Sequence, residues 1–137
     1  MTGQRVQVIM PVWSDAGFQG KQSAIARGAE AAGYSATFPE YVASNPQFDP
    51  QDYGRQLRSA STVLADLTGE RPSCYFEIGF AEGVGKPVHI VAEAGTDIHQ
   101  SAYRHRARYY GDLDDLERLV FEILSDEARS KLRVAGG

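Results

Sequence analysis

Short apolar runs alternate with longer segments of mixed character along the 137-residue chain. The first run, 5–12, is apolar at successive positions, which is typical of a strand buried on both faces of a parallel sheet. The last segment, from Asp112 to about Arg133, repeats apolar residues at helical spacing and predicts an amphipathic helix. The predicted strands are 5–12, 34–38, 62–65, 87–92 and 107–110, and the predicted helices are 18–32, 50–60, 72–85 and 112–133.

Residues that begin and end helices support these boundaries. Asp49-Pro50 combines an N-cap residue with proline at the first helical position. Gly33 and Gly85 are expected to end helices, because glycine adopts the left-handed conformation found after a last helical turn.

The alternation of strands and helices predicts the fold class. Strand, helix, strand order favours parallel strands joined by right-handed crossovers. We therefore expect an α/β fold in which residues 1–137 form a single domain. Its five-stranded, mostly parallel sheet would carry helices on both faces, in a flavodoxin-like or Rossmann-like arrangement. Such sheets bind ligands outside the carboxyl ends of their strands.

Composition narrows the possible partners. Fourteen Lys and Arg against 18 Asp and Glu leave a net charge of −4, which argues against a nucleic-acid partner. The lone cysteine, Cys74, excludes an intrachain disulfide. No signal peptide or membrane span is recognisable, so we expect a cytoplasmic location and no membrane partner. His89, His99 and His105 have no metal-ligand spacing, and neither a metal nor a cofactor is expected.

One segment carries most of the candidate chemistry. A predicted buried strand ends at Asp66-Leu67-Thr68-Gly69, a helix then carries Glu77 among apolar residues, and Gly85-Lys86-Pro87 leads into the next strand. This pattern resembles the nucleoside 2-deoxyribosyltransferase-like family and its nucleoside 5'-monophosphate N-glycosidases. The resemblance implies that Glu77 is a nucleophile which cleaves an N-glycosidic bond through a glycosyl-enzyme intermediate. Release to water is favoured over transfer to another base. The alternative for Glu77 is an ordinary solvated helix carboxylate.

The same segment contains further candidate residues. Asp66 either caps its loop through the backbone of Thr68 or Gly69, or assists catalysis by holding or protonating a base. The resemblance also places the loop that contains Gly69, Arg71 and Ser73 beside the sugar and its 5' position, so all three are candidates for substrate binding. Arg71 and Ser73 stand where the family commonly has asparagines, and with helix N–H groups they suit a phosphate. Each also has a plain alternative, as an exposed arginine and an N-cap.

The remaining substrate-binding candidates are less specific. Asp52 and Tyr53 lie near the position of a second acidic residue in the family. Pro11 and Trp13 follow the first strand, and Trp13 or Phe18 is a candidate for stacking on a base. The alternative for Phe18 is a hydrophobic staple of its helix.

Two further functions stay open, a non-catalytic nucleotide-binding or sensor domain and a NAD-cleaving enzyme. The expected partners are a nucleoside or nucleotide and a second copy of the chain, in a homodimer or higher homo-oligomer.

Overall fold

The computed structural model describes residues 3–11, 17–39 and 49–136. Within these ranges strands and helices alternate in the predicted order, with one additional helix. The strands are β1 (Gln4–Ile9), β2 (Tyr34–Thr37), β3 (Thr62–Asp66), β4 (Val88–Glu93) and β5 (Arg108–Tyr110). The helices are α1 (Phe18–Ala31), α2 (Pro50–Ser59), α3 (Pro72–Gly83), α4 (Ser101–Arg106) and α5 (Leu113–Gly136).

The five strands form one sheet in the order β2-β1-β3-β4-β5, and every neighbouring pair is parallel. The predicted fold class is therefore confirmed. From β1 the chain moves outward to β2, then returns past β1 to β3 and continues in the other direction. The order reverses between β1 and β3, and a sheet of this kind opens a crevice at the carboxyl ends of those two strands.

Hydrophobic cores fill both faces of the sheet. One core lies under α1 and α5 and includes Val8, Ile25 and Leu116. The other lies under α2 and α3 and includes Leu57 and Ile78. Helices on both faces explain why the strands read as continuous apolar runs, since their side chains are buried on either side.

The close approach of α1 to α5 depends on a residue without a side chain. A Cβ atom placed on Gly28 would lie 2.4 Å from the backbone oxygen of Glu117. Glycine at this position therefore lets the two helices pack backbone against backbone.

The predicted helix ends agree closely with the structure. The carboxylate of Asp49 accepts a hydrogen bond from the backbone N–H of Gln51 at 3.0 Å, as expected of an N-cap. Gly33 has a φ of 88° after the last turn of α1. β1, by contrast, ends at Ile9 instead of Val12, because its pairing with β3 stops at Ile9 opposite Ala65.

Helix α4 was not predicted. Its six residues overlap the basic stretch 103–108, and neither segment has apolar periodicity. Side chains from α3 hold it instead. The ring of Tyr103 stacks on Tyr75 with centroids 5.8 Å apart, and Arg106 forms an ion pair with Glu82 at 3.0 Å. These contacts form only when α3 and α4 are brought together by the fold.

At the amino end of the sheet, Glu127 on α5 joins several elements. Its carboxylate accepts a hydrogen bond from Tyr34 Oη at 2.9 Å and lies 2.9 Å from Nε2 of His89. His89 therefore has a carboxylate partner inside the fold. None of the described helices is long and apolar enough to cross a bilayer.

Candidate functional site

The crevice is bounded by Pro11 after β1, by the loop 67–71 after β3, and by the first turns of α2 and α3. Both helices begin at this edge because each follows the carboxyl end of a parallel strand. Pro11 is buried at the end of β1. The segments 12–16 and 40–48, which also join elements at this edge, lie outside the described residues.

Asp66 lies buried at the end of β3, where its carboxylate joins neighbouring segments through hydrogen bonds. The whole residue is 1% exposed. Its Oδ1 accepts hydrogen bonds from the backbone N–H of Thr68 at 2.9 Å and from the Thr68 hydroxyl at 2.7 Å. Its Oδ2 accepts a hydrogen bond from Tyr110 Oη at 2.7 Å. Both oxygens are engaged inside the protein, so the structure supports the loop-capping role and leaves Asp66 no access to a ligand.

A charged pair continues this network on the α1 face of the sheet. Lys21 on α1 has a side chain only 4% exposed, and its Nζ lies 3.4 Å from Glu93 Oε1 at the end of β4. The same Nζ lies 5.9 Å from the centre of the Tyr110 ring. These residues were missed in the sequence analysis. A signal was available for Lys21, because it lies four residues before Ile25 and so on the buried face of α1.

Glu77 lies on α3 and is half-buried beside the second core. Within the described residues, no hydrogen bond or ion pair holds its carboxyl group. Desolvation by burial raises the pKa of Glu77 from 4.5 to about 7. A carboxyl group with this pKa changes between its neutral and charged forms at neutral pH.

Tyr53 and Cys74 lie close enough to this carboxyl for its charge to act on them. The negative charge of Glu77 acts together with burial to raise the pKa of both. Burial is the larger cause in each case, and it brings the pKa of the Cys74 thiol to about 12. Cys74 is thus an inert, buried thiol and not a nucleophile. Tyr53 packs edge-on against Phe80, with ring centroids 5.6 Å apart.

Asp52 faces away from this group. It is exposed, and its carboxylate accepts hydrogen bonds from Arg55 at 3.2 Å and Gln56 at 3.1 Å on its own helix. The structure therefore brings Tyr53 to Glu77 and leaves Asp52 on the outer face of α2.

The loop before α3 presents polar groups to solvent. Gly69 has a φ of 85°, which explains glycine at this position. Arg71 and Ser73 are exposed on either side of Pro72, which begins the helix. No side chain caps the start of α3. The charge of Arg71 acts to lower the pKa of Cys74, against the larger effect of burial.

Of the last two candidates from the sequence, Phe18 is separated from Glu77. Phe18 is the first residue of α1 and packs against the core under α1 and α5, on the opposite face of the sheet. Trp13 lies outside the described residues. In the described part of the chain, no group of three or more His, Cys, Asp or Glu side chains is arranged to hold a metal ion.

Comparisons with known proteins place the chain by its fold. No family model and no curated protein matches the sequence. A diflavin flavoprotein A3 from Nostoc sp. matches over 100% of both chains, with a TM-score of 0.63 and 13% identity. A flavodoxin-like domain from Synechococcus sp. matches over 94% of this chain and 98% of its own, with a TM-score of 0.57 and 14% identity.

A third match covers a small part of a larger protein. A fungal multi-domain GH3 β-N-acetylglucosaminidase, described as having a GCN5-related glucosamine N-acetyltransferase region, matches over 92% of this chain and 14% of its own, with a TM-score of 0.58 and 10% identity. Identities this low show the fold and nothing finer.

These findings correct the sequence analysis on the family and its activity. The two structures that match over nearly the whole of both chains are flavodoxin-like, so the predicted membership of the nucleoside 2-deoxyribosyltransferase-like family was wrong. The N-glycosidase and transferase activities that the resemblance implied are withdrawn for the same reason. The segment that carried the resemblance has the order strand, polar loop, helix, strand. Every sheet with this strand order has such a segment beside its crevice, whatever the protein does. A local pattern of this kind therefore indicates the fold and does not by itself indicate a reaction.

Proposed function

We propose that the chain binds a nucleoside or nucleotide in the crevice, with Glu77 as the group that holds or moves a proton on that ligand. The observation that carries the proposal is the half-buried carboxyl of Glu77, which has no partner in the described chain and a pKa raised to about 7 by desolvation. A protein retains such a group at a cost in stability, and perturbed carboxyl groups beside a crevice are typical of functional sites.

A nucleobase can form hydrogen bonds with such a carboxyl group. Neutral Glu77 donates a hydrogen bond and its anion accepts one, and near pH 7 both forms are present. Nucleobases carry ring nitrogens and exocyclic groups of both kinds. The phenol of the buried Tyr53 adds an aromatic group beside the carboxyl.

An anionic part of the ligand would meet the start of α3. The first N–H groups of a helix point toward its N-terminus and favour negative charge. The exposed Arg71 stands at that end, and Ser73 adds a hydroxyl. This favours a nucleotide over the free nucleoside.

A flavin is the second candidate, because one structural match is named a diflavin flavoprotein. Sheets of the same strand order also bind flavin mononucleotide where the order reverses. The described residues do not fit an isoalloxazine ring, which needs flat apolar surfaces to pack on. Loops 67–71 and 94–100, which follow β3 and β4, contain no Phe, Tyr or Trp. The nearby Tyr75 already stacks on Tyr103. We derive no redox step for this chain.

Calorimetric titration tests the two candidates together. Purine and pyrimidine nucleosides, their 5'-monophosphates and flavin mononucleotide are titrated into the protein, and each mixture is analysed by chromatography for turnover. We expect at least one nucleoside or nucleotide to bind, and Glu77→Gln to change the pH dependence of its affinity. Arg71→Ala should weaken a monophosphate relative to its nucleoside by about 1.5–3 kcal/mol.

Matched variants separate site effects from general ones. Glu30→Gln and Arg133→Ala change exposed residues of the same types on α1 and α5, away from the crevice, and should leave binding unchanged. Binding of flavin mononucleotide alone would replace the first candidate by the second. Absence of binding by every nucleoside and nucleotide would overturn the proposal.

A second copy of the chain is the partner we propose for α3. Phe76 and Val84 are 56% and 52% exposed on this helix. A groove of about 490 Å³ continues the same face between α2 and α3, lined by Phe80, Val84 and Gly54. Light scattering should give the mass of two chains, and Val84→Asp should reduce it to the mass of one.

We propose the cytoplasm as the location of the protein.

A further inference from the structure

The loop between β3 and α3 holds a residue in an unfavourable backbone conformation. Glu70 has a φ of 45° and is the only non-glycine residue with a positive φ in the described chain. Side chains with a Cβ disfavour this left-handed region, and such conformations persist where surrounding contacts impose them. Glu70 directly precedes Arg71, the N-cap of α3, so its conformation decides how the loop enters the helix.

The carboxylate of Glu70 accepts three hydrogen bonds. Tyr75 Oη donates to Oε2 at 2.6 Å from the first turns of α3. The backbone N–H of His99 donates to the same oxygen at 3.0 Å, and Nδ1 of His99 lies 2.8 Å from Oε1. One side chain thereby joins the loop after β3, the helix α3 and the loop that follows β4. We call Glu70, Tyr75 and His99 the clamp.

The ring of His99 is surrounded by charged groups of both signs. Besides Glu70, Asp97 Oδ2 lies 3.7 Å from its Nε2, and Arg104 on α4 is the opposing positive charge. Tyr75 is the remaining titratable group, and it stays neutral because burial raises its pKa. The hydrogen bond to Glu70 is the main cause that raises the pKa of His99. Burial acts to raise the pKa of Glu70, but hydrogen bonds from Tyr75 and His99 bring it below its usual value.

We propose that the clamp is a protonation-dependent positioning device, in which charged His99 holds the loop 69–71 closed and so places Arg71 at the start of α3. When His99 loses its proton, the pair with Glu70 changes from an ion pair to a neutral hydrogen bond, and the loop opens more often. Only the consequence for a ligand, through Arg71, rests on the proposed function. The clamp itself requires no ligand.

Nuclear magnetic resonance tests this directly in the free protein. The ring of His99 and the backbone amides of Gly69 and Arg71 are followed from pH 5 to pH 9. We expect the two amides to titrate with the midpoint of the His99 ring. The backbone N–H of Glu70 donates to the carbonyl of Leu67 at 3.0 Å, so exchange of this amide reports on opening of the loop. Its protection from hydrogen exchange, corrected for intrinsic rates, should fall about two- to fivefold across that midpoint, as for an exposed ion pair.

Three variants complete the test. His99→Gln keeps a neutral donor at an exposed position, and should remove the titration of both amides while the fold is kept. Tyr75→Phe removes one hydrogen bond to Glu70 and should lower the protection of the loop at every pH. His105→Gln changes an exposed histidine on α4 and is the matched control, so the titration should persist.

The outcomes are distinct from those of the binding experiment. Amide titration that follows His99 supports the clamp even if no nucleotide binds. Amides that do not follow His99, or that still titrate in His99→Gln, overturn the clamp even if a nucleotide binds in the crevice.

Discussion

Replacing Glu77 by glutamine should stabilise the protein, and by an amount that depends on pH. Burial raises the pKa of this carboxyl from 4.5 to about 7, so between those values the folded state keeps a proton that the unfolded state has released. The folded state is therefore progressively destabilised as the pH rises through this window, and the loss is complete above about pH 8. Glutamine has the same shape and no charge, so it avoids that loss.

The size of the effect follows from the shift. Each pKa unit corresponds to 1.36 kcal/mol, so the change from 4.5 to about 7 gives an upper limit of about 3.4 kcal/mol. Glu77 is only half-buried, and water near the carboxyl reduces the penalty, so we expect about 1–3 kcal/mol at pH 8.5. Near pH 4 both carboxyl and amide are neutral, and the difference in stability should disappear.

Urea denaturation at pH 4, 6 and 8.5 measures this difference directly. Glu30→Gln is the control, because Glu30 is an exposed glutamate on α1 and its replacement should change stability little at any pH. A difference between the wild type and Glu77→Gln that is the same at pH 4 and pH 8.5 would refute the reasoning. It would mean that Glu77 is an ordinary solvated carboxylate, and the main support for the proposed function would be lost.

Three further variants test the fold around the site. Asp66→Ala should cost about 2–4 kcal/mol in urea denaturation because it leaves the buried Tyr110 hydroxyl and two partly buried donors of Thr68 without their acceptor, and a loss below 1 kcal/mol would contradict its structural role. Gly28→Ala should cost about 1–3 kcal/mol because its Cβ meets the backbone of Glu117, whereas Gly79→Ala, with open space around it, should not destabilise. Burial acts to raise the pKa of Glu127, but its hydrogen bonds bring that pKa to about 2, so Glu127→Gln should be less stable than wild type above pH 5 and equal to it near pH 2.

The local pattern of the sequence determined the secondary structure and the fold class. Buried parallel strands need apolar residues at successive positions, and helices that cover them need an apolar stripe, so both leave a signal within a few residues. Asp49-Pro50 and Gly33 act on the backbone of their immediate neighbours, which is why helix ends were predicted closely. Helix α4 had no such signal, because it is held by contacts with α3.

The candidate site was decided to a larger degree by tertiary structure. The sequence selected Glu77 as a residue of interest, but its raised pKa depends on how much protein surrounds it. Asp66 was ambiguous between two roles until the fold brought Tyr110, 44 residues away, to its second oxygen. Glu70 was not selected at all, since its conformation and its bond to His99 arise where two separate loops meet. Hydrogen bonding and desolvation act over a few ångströms, and only the folded chain fixes which residues lie that close.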